Sequence, residues 1–183
     1  IAGMRAAIGL ADTGLHVYLV EKEAELGGWA GRFGAMFPND RSGREQIAVL
    51  KEQIALRPTI TVFTEAELVG KTGSFGNYEA EVRVGGEAAD TIRATVGSIV
   101  IATGFDSYQP EVGEFGYGIK GVVTLPEFKE LVDDAAGSTL AYEGRPVRSI
   151  AYVYCVGSRQ PGGNEYCSKF CCAATAHASI LVS

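Results

Sequence analysis

The sequence predicts an α/β fold, and three features of its patterning carry that prediction. Met4, Ala7, Ile8 and Ala11 recur at the helical period, and the helix they mark runs through Thr13-Gly14 straight into the apolar stretch 16–21. Ser98 to Gly104 is an unbroken apolar run of strand length, the pattern of a strand buried on both faces of a parallel sheet. Between them, Tyr78, Ala80, Val82 and Val84 alternate with charged residues, and Thr91 to Val96 returns after Gly85-Gly86 as a hairpin partner.

The elements follow in order. Gly14 supplies the left-handed cap that ends the first helix. A helix feeding a strand through a tight turn is the second half of a βαβ unit, so an opening strand is expected before Ile1. Leu26 to Gly34 holds too many glycines for a stable helix. Ile47, Leu50 and Ile54 mark one face of a helix from about Arg44 to Ala55, which Pro58 ends, and the β-branched run Thr59 to Phe63 reads as a strand. Leu125 to Val132 is a short helix, Ser149 to Cys155 another apolar strand, and Ala173 to Val182 an alanine-rich helix. No linker or repeat interrupts the chain. The expectation is one incomplete domain over 1–183, with a β-meander inserted at about 64–97 and a cysteine-bearing βα segment at 149–183.

With 46% hydrophobic and 21% charged residues the chain can build a core. A net charge of -6 without a basic cluster argues against a nucleic-acid partner. The longest apolar runs are too short to span a bilayer. No Ser-His-Asp set or carboxylate pair points to hydrolysis.

A dinucleotide site needs a strand, a glycine turn, a helix N-terminus for the pyrophosphate, and an acid on the next strand for the ribose. Gly3 stands where the last glycine of that turn would, and Glu21 follows 18 residues later at a strand end. Close helix packing at Gly3 and a solvated carboxylate at Glu21 would explain the same two residues. Glu25-Leu26-Gly27-Gly28, then Gly31-Arg32, and finally Ala102-Thr103-Gly104 complete an order that resembles the flavin-disulfide-reductase type of FAD-binding domain, a Rossmann-like fold. The resemblance implies FAD, with Glu21 at the adenosine ribose, Gly27, Gly28 and Arg32 along the flavin and pyrophosphate, and Gly3 and Lys22 also among the cofactor-binding residues. It also implies a backbone contact to adenine at Phe63, with Ala102, Thr103 and Gly104 passing beside the cofactor.

All four cysteines fall within 18 residues, as Cys155-x11-Cys167-x3-Cys171-Cys172. Such clustering suggests a metal or redox site rather than a disulfide framework. Zinc ribbons use paired Cys-x2-Cys knuckles, and none is present. Adjacent cysteines diverge, so Cys171 and Cys172 suit a cluster several ångströms across better than one ion. Small buried thiols and a redox disulfide pair are the alternatives.

Cys155-Val156-Gly157-Ser158-Arg159 followed by Tyr166-Cys167-Ser168-Lys169-Phe170-Cys171-Cys172 resembles the A-type subunit of heterodisulfide reductase, an FAD and iron–sulfur protein. Ile1-Ala2-Gly3-Met4, Val20 to Glu23, Phe37-Pro38, Ala102 to Phe105 and Gly116-Tyr117-Gly118 extend the likeness over nearly the whole chain. It implies a [4Fe-4S] cluster on Cys155, Cys167, Cys171 and Cys172, near FAD. It further implies an oxidoreductase subunit in the cytoplasm that exchanges electrons with other heterodisulfide-reductase-like subunits and an electron carrier, and a homodimer is compatible with it. Two departures stand out. Arg41-Ser42-Gly43 replaces cysteines that methanogen members carry, and His177 stands where they have a lysine near the flavin N5. A histidine is a cation only when protonated, which argues away from flavin-based bifurcation and towards the related proteins of sulfur oxidation or sulfate reduction. The rivals are an NAD(P)H-dependent flavoprotein reductase with redox-active cysteines, and a zinc-stabilised, non-catalytic interaction module.

Overall fold

The computed structural model describes residues 1–85, 90–135 and 137–182. In chain order the elements are α1 (Ala2–Asp12), β1 (Val17–Val20), a 3-10 turn at Gly28–Arg32, β2 (Ala35–Met36), β3 (Arg41–Ser42), α2 (Gly43–Ala55), β4 (Ile60–Phe63), β5 (Ala66–Ser74), β6 (Asn77–Val84) and β7 (Asp90–Val96). A second 3-10 turn at Glu114–Gly116, α3 (Leu125–Ala135), β8 (Ala141–Tyr142), β9 (Arg145–Pro146) and α4 (Cys171–Leu181) follow. The chain divides into two compact units, Ile1–Arg32 with Arg44–Gly104, and Phe33–Gly43 with Phe105–Ser183.

In the first unit, β1 and β4 pair in parallel from Val17 opposite Ile60 to Val20 opposite Phe63. The apolar stripes of the two helices meet on this pair: Met4, Ala7, Ile8 and Ala11 of α1 and Ile47, Leu50 and Ile54 of α2 are all buried, in one cluster with Ile60. Gly14, at φ +88°, turns α1 into β1. The Arg57 guanidinium grips both oxygens of Asp12 at 2.7 and 3.1 Å and holds that carboxyl below its usual range, chiefly through the hydrogen bond. β5, β6 and β7 form an antiparallel meander with Ala80 and Val82 buried. Gly85 begins the turn before β7, while Gly86 lies outside the described residues.

Two expectations need correction. Ser98 to Gly104 joins no ladder, and Val100 and Ile101 are 60% and 83% exposed. Ser149 to Cys155 is likewise unpaired, with Val153 60% exposed. An apolar run becomes a strand only when a neighbour satisfies its amides and carbonyls. Among the described residues neither segment has such a neighbour, so the parallel sheet there consists of β1 and β4.

In the second unit α3 packs against α4 through Phe128, Val132 and Ala178, and the Tyr152 ring meets Phe128 edge-on at 5.7 Å. Thr124 and Glu127 cap α3 reciprocally, the Thr124 amide and hydroxyl donating to the Glu127 carboxylate at 2.6 and 2.7 Å. The β2–β3 hairpin is pinned to α3 by a buried carboxylate. Asp133 accepts the Gly34 amide at 2.6 Å and pairs with Lys129, whose side chain is also largely buried. A Cβ at Gly34 would sit 2.8 Å from an Asp133 oxygen, so only glycine allows that approach.

Removing one member of a buried pair strands the other charge. Asp133→Leu is therefore expected to destabilise the chain by about 3 kcal/mol in urea unfolding. The Lys129→Met/Asp133→Leu double variant should recover most of that loss. Equal losses in the two variants would contradict the pairing.

Candidate functional site

The first unit gathers one set of predicted residues at the carboxyl ends of β1 and β4. The Glu21 amide donates to the Phe63 carbonyl at 2.8 Å, so these two residues end neighbouring strands side by side. The helix α1 runs back against β1, which brings Gly3 to the same edge: a Cβ there would lie 3.9 Å from Leu19 and 3.3 Å from the Ala102 side chain. Ala102, Thr103 and Gly104 therefore pass the start of α1 even though they form no strand. A helix N-terminus beside strand carboxyl ends is the place where α/β folds receive phosphates. One oxygen of Glu21 takes the Glu23 amide at 3.1 Å, and the other has no partner among the described residues, as a ribose hydroxyl acceptor requires.

Lys22 next to it is exposed. Gly27 and Gly28 both hold positive φ, +137° and +54°, on the segment leaving β1, and a Cβ on Gly27 would press on Ile47 at 3.1 Å. Arg32 stacks over Trp29 at 4.5 Å from the ring centroid, and its carbonyl accepts from Arg44 at 3.0 Å.

The second unit folds the cysteine segment into a closed loop. The Arg159 amide donates to Tyr166 and the Gln160 amide to Asn164, while the Asn164 side chain donates to the Gly157 carbonyl at 3.1 Å. That closure ties residues 157–160 to 164–166 within the eleven-residue spacer. Cys155, Arg159 and Lys169 all adopt left-handed φ, 63°, 56° and 58°, a conformation costly for non-glycine residues and concentrated at functional sites. Lys169 then turns back so that its amide donates to Cys167 Sγ at 3.3 Å. Ser168 Oγ lies 3.9 Å from Cys171 Sγ and an Arg159 nitrogen 4.0 Å from Cys155 Sγ, both as donors.

Cys171 and Cys172 open α4, whose cap residue Phe170 offers no side-chain acceptor to the first amides. A helix N-terminus stabilises thiolates. The Cys172 thiol is pushed up by partial desolvation first, then by the neighbouring charge and hydrogen bond of Cys171 and the charges of Cys155 and Cys167. Among the described residues no three Cys, His, Asp or Glu side chains stand close enough to share a single ion. A cluster spreads its ligands further apart than one ion does, and donors aimed at Cys155, Cys167 and Cys171 suit bound thiolates.

His177, five residues beyond Cys172 on α4, belongs to this unit too. Its side chain is 13% exposed, Phe37 lies edge-on at 6.2 Å, and Asp40 Oδ1 is 2.5 Å from Nε2. Each unit holds its own set: the predicted nucleotide residues in the first, the cysteines and His177 in the second.

No protein-family model matches the chain. Among curated relatives, the first A-type iron-sulfur subunit of CoB–CoM heterodisulfide reductase from Methanopyrus kandleri is 26% identical, over 94% of this chain and 38% of its own length. The A-type subunit of ferredoxin:CoB-CoM heterodisulfide reductase from Methanosarcina acetivorans is 24% identical, over 99% and 37%. The chain is a distant relative of the A-type subunits of heterodisulfide reductase. It spans little more than a third of the length of these relatives. The stretch aligned with the Methanopyrus protein, 258 residues, exceeds the 183 of this chain, so that relative carries internal segments without a counterpart here. Among solved structures, L-proline dehydrogenase from P. horikoshii is 23% identical over 51% of this chain and 19% of its own, at a TM-score of 0.40, too low to bear on fold or function.

Sequence reasoning passed over Tyr108 and the need for glycine at 157. The Tyr108 ring lies flat against the buried Gly157, and a Cβ there would come within 2.2 Å of it. The Tyr108 hydroxyl donates to Glu114 at 2.9 Å, and that bond, with the charge of Glu114, pushes the phenol up. The Gly-Ser after a cysteine is a visible turn signal; the ring that covers it, 49 positions away, is not.

Gly157→Ala must expel the ring or shift the loop, and at φ +72° it adds about 1 kcal/mol of backbone strain. A fall in Tm of about 5 °C or more is expected, of which Tyr108→Ala in the same chain should restore the steric part. An unchanged Tm in Gly157→Ala would contradict the packing.

Proposed function

We propose that the chain is the cofactor-bearing part of an electron-transfer flavoprotein of the A-type heterodisulfide reductase kind. The observation that supports this is the set of donors directed at cysteine sulfurs, the Lys169 amide at Cys167, Ser168 at Cys171 and Arg159 at Cys155, on one loop and the start of α4. The distant A-type relatives, one of them named an iron-sulfur subunit, support the same reading. In this reading Cys155, Cys167, Cys171 and Cys172 hold a [4Fe-4S] cluster, and the first unit is the core of a Rossmann-like FAD domain of the flavin-disulfide-reductase type.

A flavin paired with such a cluster converts a two-electron exchange into one-electron steps. The residues of the chain bind and tune. Glu21 accepts from the adenosine ribose, the α1 amides beside Gly3 meet the pyrophosphate, and Phe63 offers its backbone to adenine. Lys22, Gly27, Gly28 and Arg32 line the extended cofactor, and Ala102 to Gly104 pass beside it. The Lys169 amide, Ser168 and Arg159 donate to ligand sulfurs, which stabilises the more negative, reduced cluster. His177, on the same helix as Cys171 and Cys172, is the protonatable side chain that the resemblance assigns to flavin chemistry. The partners are sibling reductase subunits and an electron carrier, in the cytoplasm; among the described residues no helix is long and apolar enough to cross a membrane.

Anaerobic reconstitution of the full chain with iron and sulfide should load about four iron atoms, the content of one [4Fe-4S] cluster. Serine at Cys155 should lower that content by more than half. Iron content indifferent to Cys155→Ser, or a colourless chain with a single zinc, would overturn the cluster. For the flavin, Glu21→Ala should weaken FAD binding about tenfold in a fluorescence titration, the loss of one charged hydrogen bond. An unaltered Kd would remove Glu21 from the site.

A further inference from the structure

The β2–β3 hairpin closes over α4 at His177, and this contact is built rather than incidental. Asp40 reaches the imidazole from a left-handed backbone, φ +55°, a conformation that Asp and Asn tolerate better than other non-glycine residues. Its carboxylate meets Nε2 at 2.5 Å, and Phe37 walls the ring edge-on. The hairpin is itself fixed at Gly34 by the buried Asp133. An ionised carboxylate only accepts hydrogen bonds, so Nε2 must carry the hydrogen. Nδ1 then has no partner among the described residues, and it is not sealed from solvent, since no fully buried side-chain nitrogen lacks a partner there. Asp40 is the one charged group in contact with His177 among the described residues.

We propose that Asp40 is a positioning residue that holds His177 as the Nε2–H tautomer, leaving Nδ1 as the atom that takes up and releases a proton. This rests on the reading of His177 as the protonatable group of a flavin site. A fixed ring with one committed nitrogen presents the proton always from the same atom, which a freely rotating surface histidine does not do. With Nε2 committed to Asp40, any proton that the ring exchanged with solvent or with a bound flavin would pass through Nδ1. Asp40 serves only to orient the ring.

The test reads the ring directly. The chain has two histidines, so ¹⁵N-histidine labelling gives two ring systems, and His16→Gln identifies which is His177. Two-bond ¹H–¹⁵N correlation above the imidazole titration should show His177 with a protonated Nε2 and an unprotonated Nδ1, while exposed His16 shows mixed tautomers. Asp40→Asn keeps the backbone conformation but can donate to the ring, and it should shift His177 towards the Nδ1–H form or a mixture. Full iron loading in Asp40→Asn would show that the fold is intact. A mixed tautomer at His177 in the unaltered chain, or no change in Asp40→Asn, would overturn the proposal. If the tautomer is as expected but the chain takes up no FAD, the flavin reading fails instead and Asp40 still holds the ring.

Discussion

The Asp133 carboxylate is the constraint on which the second unit depends. It is nearly inaccessible, paired with Lys129 on its own helix, and bonded to the Gly34 amide from a distant part of the sequence. A buried charge is tolerated only when both partner and hydrogen bonds are in place. Once satisfied, it fixes the start of a hairpin too short to be stable alone. The other end of that hairpin delivers Phe37 and Asp40 to His177. Ala178 of α4 is wholly buried in the cluster with Phe128 and Val132 of α3.

The cysteine segment is shaped by a different balance. Three non-glycine residues held left-handed cost about 1 kcal/mol each, and none of the three is buried, Arg159 and Lys169 being exposed, so burial does not offset them. What offsets them locally is the loop closure through Asn164, the Tyr108 ring on Gly157, and sulfur-directed donors. Four thiolates in a chain already at -6 would repel strongly. A cationic cluster core would relieve it, and the neighbouring Arg159, Lys169 and α4 amides supply the remaining positive field.

Helix faces were legible because they are local. Met4, Ala7, Ile8 and Ala11, and Ile47, Leu50 and Ile54, are buried as their period requires, and the alternation at Ala80 and Val82 marked the wet and dry faces of β6. Ser98 to Gly104 and Ser149 to Cys155 were misread because an apolar run specifies burial, whereas strand pairing depends on a neighbour elsewhere. At the candidate site, residue types and spacing pointed to the cysteines, Gly3 and Glu21. Asp40, Tyr108 and Asp133 were illegible because each acts through a contact 49 to 137 positions distant, with nothing in the local pattern to announce it.

The convergence of four thiols on one cluster is tested most directly by electron paramagnetic resonance of the anaerobically reconstituted full chain, before and after reduction with dithionite. The expected result is a silent oxidised sample and a reduced sample with the spin-½ signal of one [4Fe-4S]⁺ cluster, close to one spin per chain. A chain that gives no signal in either state and binds one zinc, or that oxidises to a Cys171–Cys172 disulfide without iron, would contradict it.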